Sequence, residues 1–210
     1  MCFHTEQTKF PFEVEPRFKA KIKDLNKFKP SAHFNGFNFP QTPIIIDENP
    51  TEILHYNWGL IPSWAKDEDF GRKTYNARSE TVSEKPSYKH AWSKRHYALA
   101  LADAFYEPCY ESGKAVRTKI KQANHEPMAI ASIWDTWTEP ETGELIVSFS
   151  MLTIEAGKHP LMNRCHKPED EKRTVVPLRP ELFNDWLNAT PDTAQSLLNL
   201  ESIPELVFSE

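Results

Sequence analysis

Seventeen prolines punctuate the 210-residue chain, from Pro11 to Pro204. Proline fixes φ and lacks an amide hydrogen, so it closes helices and is confined in sheets to edges, first positions and bulges. Long helices and long central strands are therefore limited, and short elements joined by ordered loops are expected. Hydrophobic residues make up 39% and charged residues 26%, which suits a buried core and excludes a disordered chain. At this length a single domain around one core is expected. No apolar run approaches the roughly 20 residues that span a bilayer. The first ten residues also lack the apolar stretch of a signal peptide, so a cytoplasmic protein is expected.

Between the prolines the hydrophobic pattern favours strands. Phe18, Ile22 and Leu25 recur at helical spacing and predict an amphipathic helix over Pro16 to Phe28. A loop from Lys29 to Pro43 leads to a short buried strand, Ile44 to Ile46, and a turn at Asp47-Glu48-Asn49-Pro50. Glu52 to Trp58 and Tyr97 to Ala102 read as strands. Ile133 to Thr138 and Leu145 to Thr153 read as a hairpin around Glu139 to Gly143. Two short helices, Pro180 to Leu187 and Thr190 to Leu200, each carry Pro in the first turn. No internal repeat, low-complexity tract or linker interrupts the chain. The fold class is α+β, mostly antiparallel strands with short peripheral helices.

The net charge of −5 argues against a protein that coats nucleic acid by bulk attraction. The charge is uneven, however: Lys9 to Lys29 holds seven Lys or Arg against three acids, and Pro180 to Glu210 holds six acids and no Lys or Arg. A basic face on an acidic protein and ordinary solvated faces with an acidic tail both fit. Cys2, Cys109 and Cys165 cannot all pair within one chain and show no C-x-x-C spacing for zinc or redox work. Free thiols in a reducing compartment are the expectation, with no metal and no cofactor.

Cys2 is the first candidate for chemistry. Loss of Met1 would give it a free α-amine beside its thiol, a pairing no internal cysteine has. The α-amine has a pKa of about 8 and a free thiol about 8.5, so both are partly nucleophilic near neutrality. Such a 1,2-aminothiol attacks an aldehyde through nitrogen, and sulfur then closes a thiazolidine ring. Trp58-Gly-Leu-Ile-Pro-Ser-Trp64 reads either as a wall on which a base stacks or as a buried aromatic corner. Asn76, Arg78 and Glu80 fall on one face of an extended segment, where Asn orients an amine or carbonyl and Arg holds phosphate. Glu107, in Ala104-Phe-Tyr-Glu-Pro108, sits where a strand leaves the core among aromatic neighbours, a setting that raises a carboxyl pKa toward acid–base use. His166, with an ordinary pKa near 6.5, suits proton transfer.

In this order, Cys2, Trp58-Gly-Leu-Ile-Pro62, Asn76-Ala-Arg-Ser-Glu-Thr81, Phe105-Tyr-Glu107, Thr153-Ile-Glu-Ala156 and His166 resemble the SRAP family of abasic-site processing proteins. The resemblance runs from Cys2 to about Leu178 of a single domain spanning 1–210, with a helical segment at 180–210. It implies a mostly β α+β fold with a positively charged cleft for single-stranded DNA carrying an abasic site. Cys2 would cross-link to the ring-opened sugar aldehyde, Asn76 would hold the α-amine, and Glu107 would move protons. His166 would assist sugar ring opening. Arg78 is implied as a phosphate contact and Trp58 or Trp64 as a wedge, with His4, Thr153 and Arg173 along the same DNA path. A lyase side reaction and a thiol autopeptidase that exposes its own cysteine are also implied, as is a monomer that joins the nucleoid when bound to DNA.

The departures are specific. Family members begin Met-Cys-Gly-Arg, whereas this chain begins Met1-Cys2-Phe3-His4, so His4 replaces an expected phosphate contact. The spacer after the histidine is longer and ends in Arg173-Thr-Val-Val-Pro177, which makes His159 a competitor for His166. Pro160-Leu-Met162 fits the segment before the histidine and favours His166. Pro108 replaces the Trp that usually follows Phe-Tyr-Glu. Cys2 alone also permits an N-terminal-nucleophile hydrolase or amidotransferase, although only six glycines are present. A noncatalytic domain with an aromatic peptide groove is the other alternative, and there Cys2 would be dispensable.

Overall fold

The computed structural model describes residues 2–30 and 32–209; Met1, on whose loss the free amine of Cys2 depends, lies outside them. Strands are numbered along the chain. One antiparallel sheet contains β1 (His4–Gln7), β3 (Ala32–Asn35), β8 (Ala104–Cys109), β9 (Val116–Gln122) and β14 (Leu206–Ser209), in the spatial order β14-β9-β8-β1-β3. The other contains β2 (Lys21–Ile22), β4 (Gln41–Ile46), β5 (Asn49–Trp58), β7 (Tyr97–Ala102), β10 (Met128–Thr138), β11 (Leu145–Glu155) and β12 (Arg173–Val175). Its order is β12-β11-β10-β7-β4-β5-β2. To this path are added β6 (Asn76–Arg78) beside β11 and β13 (Pro177–Leu178) beside β10.

Two parallel pairs, Ser148 with Asn57 and Phe149 with Trp58, join β5 to β11. They close β11, β10, β7, β4 and β5 into a ring, which removes the exposed edges an open sheet would carry there. All six residues of β7 are buried. Its alternate small side chains, Ala98, Ala100 and Ala102, share one face and let neighbours approach it closely. One neighbour is Trp186 on α3 (Phe183–Leu187), fully buried, with its indole N–H on the Ala98 carbonyl at 2.9 Å and its ring 4.9 Å from Tyr97. The β10–β11 hairpin forms at the expected turn, and its eleven-residue strands are longer than expected. They occupy the proline-free windows on either side of Pro140.

Two expectations are corrected. The first helix, α1 (Pro11–Phe18), lies earlier than Pro16 to Phe28, and the short α2 (Lys89–Ser93) stands between β6 and β7. Pro11 starts it at N1 and Lys19, in the left-handed region at φ 52°, ends it. Ile22 belongs to β2, and Leu25 is exposed. The C-terminal segment carries α3 and α4 (Pro191–Leu197) but finishes as β14, paired to β9. No helix of the described residues is long and apolar enough to cross a membrane.

The cysteines also differ from expectation. Cys109 and Cys165 are joined by a disulfide across 56 residues, and Cys2 is the free one. The free-thiol argument for a reducing compartment therefore does not carry over. The bond ties the end of β8 to the loop before His166, reinforced by His166 N–H on the Pro108 carbonyl at 2.7 Å. Closing a loop of this length removes unfolded-chain entropy, so unfolding in urea with a dithiol present should show stability lower by about 2–4 kcal/mol. Equal midpoints with and without the dithiol would contradict this contribution.

Candidate active site

Four segments far apart in sequence converge near the start of β1. Cys2 is 1% exposed, and its thiol lies 3.5 Å from the His4 carbonyl. Asn76, the first residue of β6, is set opposite Met151 on β11, and its side-chain N–H donates to the Cys2 carbonyl at 2.5 Å. Asn76 thus reaches the carbonyl of residue 2 rather than its nitrogen, and its buried Oδ1 has no hydrogen-bond partner among the described residues. Glu107 lies within β8 opposite Thr118. It faces inward at 1% exposure, deeper than the strand-exit position expected from sequence. His166 completes the group, with Nε2 at 3.7 Å from Glu107 Oε2.

Burial sets the electrostatics. Desolvation pushes the Glu107 carboxyl up to about 7, because its charged form loses water. Desolvation, aided by the neighbouring Glu107 charge, pushes the Cys2 thiol far above its ordinary value. For the thiol, the expectation of partial nucleophilicity is therefore corrected: burial keeps it protonated near neutrality. Desolvation also lowers the His166 pKa, so the neutral imidazole is favoured. His166 Nε2–H donates to the Arg173 carbonyl at 2.8 Å, which leaves Nδ1 as the acceptor. The backbone of His166 sits in the left-handed region at φ 63°, an uncommon conformation held here by the contacts on either side.

His159 is arranged differently. Its Nδ1 accepts the Leu161 and Met162 N–H groups, both at 3.1 Å, which makes it the cap of a turn. Trp58 is fully buried, and its indole N–H donates to the Tyr75 carbonyl at 2.8 Å. With the Tyr88 hydroxyl on the Asn76 carbonyl at 3.0 Å, it clamps the peptide units around Asn76. Trp64 is 53% exposed and packs edge-on against Phe70 at 4.9 Å. Sequence reasoning missed the anchoring roles of Trp58 and Tyr88, since neither contact is local in sequence.

A cavity of about 310 Å³ beside His166 is lined by Arg78, Asp170, Glu171 and Arg173. Arg78 lies opposite Thr153 at the end of β6 and is exposed. Arg173 is buried, with Nη2 on the Thr153 carbonyl at 2.9 Å and on Glu80 at 2.8 Å. Thr153 itself is buried and serves this arginine. His4 faces outward, with Nδ1 at 3.0 Å from His33 Nε2, and the Arg117 guanidinium lies 2.6 Å beyond. Among the described residues no cluster of His, Cys, Asp or Glu is placed to hold a metal.

Comparison with known proteins places the chain in a family. The family model described as SOS response associated peptidase (SRAP) matches residues 1–208. The abasic site processing protein YoqW of Bacillus subtilis (strain 168) is 38% identical over 187 residues, covering 83% of this chain and 78% of that protein. The abasic site processing protein HMCES of Xenopus tropicalis is 27% identical over 213 residues, covering 86% of this chain and 61% of that protein. A crystal structure of a protein from Bordetella bronchiseptica has a TM-score of 0.84 at 30% identity, with full coverage of both chains. Another, from Bacteroides thetaiotaomicron, has a TM-score of 0.84 at 26% identity, covering all of this chain and 92% of that one. A family match along nearly the whole chain, joined to a relative at 38% identity, establishes that this chain belongs to the SRAP family.

Proposed function

We propose that this protein processes abasic sites in single-stranded DNA by capturing the ring-opened sugar aldehyde on Cys2 as a thiazolidine. The observation that carries the reading is the juxtaposition of Cys2 with a desolvated carboxyl, Glu107, whose pKa near 7 makes it both acid and base at neutral pH. After removal of Met1, the α-amine of Cys2 attacks the aldehyde carbon and forms a carbinolamine. Protonated Glu107 donates to the departing hydroxyl, water leaves, and an iminium and a carboxylate remain. The thiol then adds to the iminium carbon, forming the C–S bond, and its proton returns to Glu107. One water is lost overall and Glu107 ends as it began.

The supporting groups have defined parts. Asn76 fixes residue 2 through its carbonyl and has a free Oδ1 to orient the amine. His166, held neutral by burial and oriented through Nε2 on the Arg173 carbonyl, assists opening of the sugar ring. Arg78 and Arg173 line the cavity that takes the neighbouring phosphate, and exposed Trp64 offers a ring to a base. Buried Trp58 and Thr153 hold the contact residues from behind. The iminium also permits β-elimination, which gives a lyase side reaction, and exposure of Cys2 by the chain's own thiol gives an autopeptidase. The protein acts as a monomer on DNA. An amidotransferase would need the thiol as its first nucleophile, and the burial that raises the Cys2 thiol disfavours this alternative.

Mixing the protein with a single-stranded oligonucleotide containing one abasic site should give an adduct that survives a denaturing gel. Cys2→Ala should abolish it, whereas Cys109→Ala should not; an adduct formed equally well by Cys2→Ala removes the proposal. The pH profile gives a second test. The rate requires a deprotonated amine, with a pKa of about 8, and a protonated Glu107, so it should peak between the two values and fall on the alkaline side as Glu107 ionises. Glu107→Gln should remove that alkaline fall and lower the peak by about 10²–10⁴; an unchanged profile contradicts the assignment. His166→Ala should slow adduct formation while His159→Ala does so only as far as it destabilises the fold. The reverse order would transfer the role to His159.

A further inference from the structure

Building on the phosphate contact proposed at Arg78 and Arg173, we infer that the carboxylate of Glu171 occupies that position in the free protein and is displaced when a nucleic-acid phosphate enters. Glu171 Oε1 lies 2.7 Å from Arg173 Nη1 and Oε2 lies 2.8 Å from Arg78 Nη1. One carboxylate thus spans two guanidinium groups, the arrangement that two non-bridging phosphate oxygens adopt. A phosphodiester and a carboxylate carry the same single negative charge, so the exchange leaves both arginines neutralised.

The partners of Arg173 divide into fixed and exchangeable. Thr153 stands on β11 opposite Val175, and Glu80 directly follows the segment paired to β11. Their contacts keep the nearly buried guanidinium oriented. Glu171, about as exposed as Glu80 (44% against 47%), instead lies in the strand-free and helix-free stretch 167–172 and is the one of the two that also binds Arg78. This stretch is the long spacer between His166 and Arg173, and Lys172 Nζ ties it to the His166 carbonyl at 3.1 Å. The Arg78–Glu171 pair is exposed and weak, and Glu171 belongs to no strand, so an incoming phosphate can replace it without disturbing the sheet. Asp170, on the same cavity wall, adds a second negative charge against a phosphate that arrives alone. The spacer therefore lowers affinity for undamaged strands while retaining the two cations that a captured strand needs.

The test is anisotropy of a labelled undamaged single strand with the full chain at fixed salt, a readout that does not involve Cys2. Glu171→Gln should lower Kd by about 3- to 10-fold. The gain should vanish when Arg78→Ala is added, and should be absent in Glu141→Gln, which makes the same charge change at the far end of β11. Weaker or equal binding by Glu171→Gln overturns the inference. So do an equal gain in Glu141→Gln, a gain that persists with Arg78→Ala, and an absence of single-strand binding in every variant. A protein that shows the expected pattern yet forms no adduct with an abasic strand keeps this subsite and loses the capture reaction.

Discussion

Removing the Glu107 carboxyl from water is the constraint on which the rest of the site depends. A carboxylate on the outer face of β8 would ionise near its ordinary value and could donate no proton at neutral pH. Facing inward beside Cys2, it holds its proton to about pH 7, and its charge in turn helps keep the thiol protonated. The order of chemistry follows, with nitrogen first and sulfur second. The arrangement also has a thermodynamic sign. A carboxyl raised from 4.5 to about 7 favours the folded state most below the unfolded value, and that contribution is lost as pH rises through the folded value.

The sheets exist, from the standpoint of chemistry, to hold that carboxyl among partners that the chain order keeps apart. β8 brings Glu107 from one sheet, and β6, laid parallel to β11, brings Asn76 and Arg78 from the other. The Cys109–Cys165 bond and the His166 amide on Pro108 carry the histidine to the same point. Trp58 and Tyr88 fix the peptide groups flanking Asn76 from opposite sides of its sequence. Each support is a hydrogen bond to backbone or a disulfide, so the reacting side chains are positioned by rigid elements rather than by one another.

Much of this was legible in the sequence, and for physical reasons. The β10–β11 hairpin announces itself through apolar strands around Glu139 to Gly143, and the ordered motifs from Cys2 to His166 point to the family. What escaped depended on distance in sequence. Phe18, Ile22 and Leu25 share a helical spacing although they end a helix, enter a strand and face solvent. Trp58 and Trp64 look alike in one motif, yet one is fully buried and the other half exposed. The pairing of Cys109 with Cys165 depends on an isolated antiparallel bridge between the end of β8 and a loop far along the chain. Arg173 reads as a free cation, and only the folded chain shows Glu80, Thr153 and Glu171 around it.

The ionisation of Glu107 can be observed without any reaction. Carboxyl ¹³C chemical shifts of glutamate-labelled protein, with Glu107 assigned through Glu107→Gln, would follow its protonation across pH 4 to 9. The account predicts a midpoint near 7. A midpoint near the ordinary glutamate value of about 4.3 would contradict it, because a carboxylate already ionised at neutral pH could not supply the proton that releases water from the carbinolamine.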